Sequence, residues 1–208
     1  MKWLLDNWDQ VLTGLYEHVI IAATSLAIAF AISLVVGILA ARSDRIFRWS
    51  IALSGFLYTI PTLAFLALLI PVVGLGRTNA IICMVAFSLM ILVRNIATGI
   101  REVPAEVTDA ARGMGMSRRE ILWKVELPLA MPVIVAGLRI SAVTVISVTV
   151  VAAYVNAGGL GTIIFNGIAS DHPPKIITGA VAACLLAIAV DVSLAALERR
   201  LKSRRAIG

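Results

Sequence analysis

The sequence predicts an all-α membrane protein with about five transmembrane helices, and three observations predict it. Of its 208 residues 60% are hydrophobic and only 14% charged, with a mean hydropathy of +0.97, which lies outside the balance of a soluble domain. Five stretches, 19–41, 49–72, 78–98, 131–154 and 176–197, are long and apolar enough to cross a bilayer core of roughly 30 Å as helix. The basic residues are also sided. Of the 18 lysines and arginines, 13 fall after the first, third or fifth stretch, among them Arg42, Arg45, Arg48, Arg101, Arg118, Arg119, Arg199 and Arg200. That pattern places the N-terminus outside and the C-terminus inside, and it assigns the net charge of +6 to membrane topology rather than to nucleic acid.

The elements follow in order within one domain spanning residues 1–208. Residues 1–18 carry Leu4, Trp8, Val11, Leu12 and Leu15 near helical spacing, an amphipathic segment for the outer interface, with a frayed tail as the alternative. The first residues hold acids rather than a basic region, so no cleavable signal is expected. Pro61 lies in the middle of the second stretch, where it removes a helical hydrogen bond and frees the Leu57 carbonyl. A kinked helix is tolerated in lipid where it lines a cavity, although a purely structural kink reads almost as well. The third stretch is the weakest, since its clean run from Ala80 to Val93 must include Arg94 to reach spanning length.

Residues 101–130 form a long polar inner loop. Pro104 fits a helix start, and Val107, Ala110, Ala111 and Met114 share one small apolar face until Gly113 and Gly115 end it. Ser117 and Glu120 have capping-box spacing, Lys124 can pair with Glu120, and a second short helix should run to Pro128. A small-residue face between two capped helices suits docking of another protein more than free solvation.

These residues resemble the loop of permease subunits of binding-protein-dependent ABC importers: Asp109-Ala110-Ala111, Gly115, Val125 and Leu127-Pro128 keep every spacing, with Asp for Glu at 109 and Val for Ile at 125. The resemblance spans nearly the whole chain and is closest to the glycine betaine, carnitine and choline osmoprotectant family. It is carried also by "TIPTLAF" (59–65), "VRNIATGI" (93–100), "ELPLAMPVIVAGLR" (126–139) and "AAYVNAGGLGTIIFNGI" (152–168), the last with Asn156 where the family more often has Gly. It implies a type-I importer permease fold in a bacterial or archaeal cytoplasmic membrane. The loop would be the coupling helix, seated on an ATPase subunit.

The partners implied are two ATPase subunits, a second permease subunit, identical or homologous, and an extracytoplasmic substrate-binding protein. Tyr58, Thr59, Pro61, Thr62, Tyr154 and Asn156 are expected on the translocation path. An amino-acid permease, for methionine for example, is the alternative, and a channel or structural membrane subunit is the rival of different class.

Arg139, about 12 Å into the fourth helix, and Asp191, about 9 Å into the fifth, sit at matching depths. They should pair as a gate or a helix clamp, with Arg94 as competitor or third partner. Gly158, Gly159 and Gly161 lack nucleotide-loop spacing and shape a turn before "TIIFNGIA", which is too short to span and reads as re-entrant or interfacial. Cys83 and Cys184 are read as packing residues, the four tryptophans as interface anchors, and 198–208 as a basic cytoplasmic tail.

No lysine follows a glycine in a phosphate-loop pattern, His18 and His172 make no metal set, and no nucleophile and base cluster occurs. The chain is therefore expected to be no enzyme and to bind no cofactor of its own. ATP and magnesium would belong to the partner ATPase.

Overall fold

The computed structural model describes residues 2–205, and every regular element in them is helical. They are α1 (Lys2–Asp6), α2 (Trp8–Arg42), α3 (Asp44–Thr59), α4 (Thr62–Val73), α5 (Arg77–Arg101), α6 (Ala105–Gly113), α7 (Arg118–Ile121), α8 (Leu127–Thr149), α9 (Leu160–Ala169) and α10 (Pro173–Arg205). A π turn, Leu122–Glu126, joins α7 to α8, and a 3-10 turn, Val151–Val155, follows α8. Among the described residues four helices are long and apolar enough to cross a membrane, or five if the bent pair α3 and α4 counts as one span.

The centre is α5, packed between α2 and α8, with α3 and α4 on its flank and α10 against α8 and α9. Small residues let α2 approach it. Ser25, Ala29, Ser33 and Gly37 recur every fourth position and all are buried, the small-residue seam that helices use in lipid, where hydrophobicity alone does not pull them together. A methyl group on Gly37 would lie 2.6 Å from Ile96 Cγ2, and one on Gly137 of α8 would lie 2.5 Å from Asn95 Cβ of α5. Around this seam Ile21, Met84, Phe87, Val145 and Ile146 form one core cluster, and Ile96, Ile100, Leu127, Ala130 and Ile134 another.

Four expectations change. Residues 8–18 are not a separate interfacial helix but the first turns of α2, because no proline separates them from the span and Gly14 continues the helix; their apolar face looks onto α10 across an apolar cleft of about 740 Å³. The second span is not kinked but broken at Ile60–Pro61, its halves bent by 98°. The Leu57 carbonyl is taken by the Ile60 N–H, and the Thr59 hydroxyl bonds to Phe56 instead.

The fourth helix is not confined to 131–154: it starts in the polar loop at Arg118 and ends at Thr149. Pro128 does not end it: the π turn places the Leu127 N–H on the Leu122 carbonyl, and the widened turn gives the proline ring room. Lastly, Cys83 is buried as expected, but Cys184 is exposed on α10. The basic tail is helical to Arg205, and its residues 206–208 lie outside the described ones.

Candidate functional site

The polar loop is built as two capped pieces. At the end of α6 the Met116 N–H bonds to the Ala111 carbonyl (3.2 Å) and the Gly115 N–H to the Arg112 carbonyl (3.0 Å). This Schellman closure puts its αL residue at Gly115, whose φ is +83°. Next, Ser117 and Glu120 close a reciprocal capping box, and Lys124 reaches Glu120 at 3.0 Å. The Ser117 backbone N–H, then Lys124, hold the Glu120 carboxyl down at about 2, so the cap stays charged throughout the physiological range.

The loop residues separate into two roles. Ala111 (2% exposed) and Leu127 (7%) are buried in the chain's own body. Asp109, Ala110, Gly115 and Pro128 are exposed, Val125 is half-buried, and Asp109 pairs with Arg112 at 2.7 Å. Val107 and Met114 are uncovered beside them, Met114 at 76% exposure. The expected single apolar face is thus split, Ala111 holding the loop down while its neighbours offer a surface.

From that loop one helix of 32 residues, Arg118–Thr149, runs into the membrane body. Near its start Glu126, buried, accepts from both terminal nitrogens of Arg42 at the end of α2. Arg101 bonds to the Ala40 carbonyl (2.7 Å) and Asp44 (2.9 Å) and lies over the Phe47 ring. These bonds lock the loop-side ends of α2, α3, α5 and α8 together. Neither Glu126 nor this role of Arg101 was legible as a pattern; a lone acid beside an apolar helix was the only signal.

Further along α8 are two clefts that share Thr144. One, of about 270 Å³, gathers Tyr58, Thr59, Pro61 and Thr62 at the break, together with Phe87, Thr144 and Val148, which sequence reasoning missed. Tyr154 and Asn156 do not line it. Tyr154 packs on Phe165 with ring centroids 4.2 Å apart; Asn156 is left-handed (φ 58°) and ends the 3-10 turn. The other cleft, of about 520 Å³, is lined by Arg139, Ile140, Thr144, Asp191 and Glu198. There Arg139 grips Asp191 through Nε (2.5 Å) and Nη2 (2.8 Å), and the third partner is Glu198 at 3.6 Å, not Arg94.

At the opposite end from the loop, Glu17 accepts from Arg77 (2.5 Å) and from the Gly159 N–H (3.0 Å), fastening α2 to the glycine turn before α9. His18, fully buried, bonds through Nε2 to the Ile146 carbonyl. Among the described residues no group of three His, Cys, Asp or Glu is placed to hold a metal.

Residues 33–203 match the family described as binding-protein-dependent transport system inner membrane component. The chain belongs to this family. The permease is 37% identical to the carnitine transport permease protein OpuCB of Listeria monocytogenes over 94% of the chain and 90% of that protein. It is 35% identical to the choline transport system permease protein OpuBB of Bacillus subtilis over 97% and 93%. Its fold is that of type-I ABC importer permeases: it matches the inward-facing MetNI methionine ABC transporter with a TM-score of 0.83 at 24% identity, over 96% of each chain. An amino acid ABC transporter matches at 0.78 and 17% identity, over 95% of this chain and 96% of that one. The permease is accordingly a multi-pass inner-membrane component that works with a substrate-binding protein and a separate ATPase, which hydrolyses the ATP.

Proposed function

We propose that the permease moves a quaternary-ammonium osmoprotectant, glycine betaine, carnitine or choline, into the cell by alternating access. The observation that carries this reading is the match, over nine-tenths or more of the chain, to permeases named for carnitine and choline transport. The likeness to a methionine transporter is one of fold.

The coupling surface is Asp109, Ala110, Gly115 and Pro128 with the uncovered Val107 and Met114, while Ala111 and Leu127, with the half-buried Val125, seat it. One such loop on each of two permease subunits, identical or homologous, engages one of two ATPases. The geometry supplies the lever. Thr144 lies 27 residues beyond Ser117 on one continuous helix, about 40 Å at 1.5 Å per residue, so a push on the loop reaches both clefts as a rigid-body motion. The N-terminus is outside and the C-terminus inside. The substrate arrives from its binding protein, passes the broken helix at Tyr58, Thr59, Pro61 and Thr62, and leaves past Arg139 and Asp191, which clamp α8 to α10. Tyr154 and Asn156 belong to the outer mouth, where Glu17 and Arg77 fasten α2.

Uptake into proteoliposomes holding the permease, its ATPase and its binding protein tests the substrate class. ATP-dependent uptake of labelled choline or glycine betaine, unaffected by excess methionine, is expected. Uptake of methionine with no response to either osmolyte would assign the machine to amino acids.

A further inference from the structure

We propose that the cleft at the broken second span is a low-affinity site for a trimethylammonium group, with Tyr58 and Phe87 as its aromatic wall; this rests on the reading of the substrate class just given. Phe87 is nearly buried and lies perpendicular to both Tyr58 (5.8 Å between centroids, 89°) and Phe65 (5.9 Å, 87°), so the three rings hold one another in place. Tyr58 remains 42% exposed at the cleft. None of the eight lining residues is charged, so a cation entering there meets no carboxylate. It meets two aromatic rings, Tyr58 and Phe87, and the quadrupole of such a ring attracts a cation over its face even where no hydrogen bond can form.

Two hydroxyls of the lining point the same way. The Thr59 hydroxyl donates to the Phe56 carbonyl (2.7 Å) and the Thr144 hydroxyl to the Ile140 carbonyl (2.9 Å). Both protons are committed, so these oxygens turn lone pairs rather than donors towards a ligand. Pro61 has no N–H; α3 ends at Thr59 and α4 begins at Thr62, so the negative end of one helix dipole and the positive end of the other meet at the cleft and offset, which leaves the rings to set its preference. Such a lining, aromatic and without a charged side chain, suits a quaternary ammonium and gives the carboxylate of an amino acid no ion-pair partner.

The test uses the permease–ATPase complex in lipid nanodiscs without its binding protein, so that no other site selects the ligand. Choline is compared with 3,3-dimethylbutan-1-ol, its neutral isostere, by saturation transfer to the methyl protons over a concentration series. The wild-type complex should bind choline roughly five-fold more tightly than the isostere, the ratio that about 1 kcal/mol of cation–π attraction gives. Tyr58→Phe should keep that ratio and Tyr58→Leu should bring it towards one, each variant first shown to melt within a few degrees of wild type. Equal binding of the two probes by the wild type, or an unchanged ratio in Tyr58→Leu, overturns the site. Choline uptake alongside such a result would sink this site alone, whereas methionine uptake without choline uptake would remove the substrate class and the site with it.

Discussion

Replacing Arg42 with alanine is a sharp perturbation because of what it leaves behind. The Glu126 side chain is 6% exposed and receives both of its charge-assisted hydrogen bonds from Arg42, which is itself half exposed. Breaking a buried pair by removing one partner costs about 3–5 kcal/mol. Water can follow into the space of a half-exposed arginine, so the low end, about 3 kcal/mol, is expected, or a fall in melting temperature of about 6–12 °C for a chain of this size. Glu126→Gln keeps a bonding partner for Arg42 and leaves only a hydrated cation, so it should cost about 1 kcal/mol. The double variant Arg42→Leu with Glu126→Leu removes both charges and should lie within about 1 kcal/mol of wild type. A thiol-reactive dye reads the melt directly in a Cys184→Ser background, because the remaining Cys83 is buried until the helices separate. If Arg42→Ala and the double variant melt together, the unpaired carboxylate is not what destabilises the protein, and the reasoning fails.

Other consequences are as specific. Gly37→Val forces side-chain atoms into Ile96 and should destabilise the α2–α5 seam by about 1–3 kcal/mol, seen in the same dye assay; a melt equal to wild type would refute the close approach. Exchanging the charges, Arg139→Asp with Asp191→Arg, should recover more uptake than either single change, and no recovery would count against the clamp. Because the Glu120 carboxyl is held down at about 2, its contribution to the cap is present above the ordinary carboxylate range and lost only as pH falls through about 2. ATPase activity of wild type and Glu120→Gln should therefore run parallel between about pH 5 and 8, and a divergence there would mean that Glu120 titrates.

Most of the topology was legible because lipid leaves few choices: an apolar run of spanning length has to be helix. The polar loop was legible for a different reason, since Ser117, Glu120 and Gly115 declare their local geometry through capping chemistry that depends on neighbours only a few residues away. The ion pair of Arg139 and Asp191 could be read from depth alone, as charges within a span need partners. What stayed hidden was set by distant contacts. Pro61 announces a disturbed helix but not a bend of 98°, which depends on how Asn79 bonds to the Leu66 and Gly74 carbonyls and holds α4 to α5. Pro128 looked like a stop because nothing local reveals the π turn before it. Glu126 and Glu17 each take partners 60 or more residues away in the chain, a separation at which residue type carries no signal.

The central claim is that the loop around Gly115 receives the ATPase's motion and passes it to an osmolyte path. Its most direct test is osmolyte-stimulated ATP hydrolysis in proteoliposomes holding the permease, ATPase and binding protein, wild type against Gly115→Asp. Aspartate lacks glycine's freedom at a φ of +83° and adds a charge at the exposed turn. Stimulation by glycine betaine or choline in the wild type that disappears in the variant, with assembly of the complex retained, is the predicted result. Undiminished stimulation in Gly115→Asp would contradict the account.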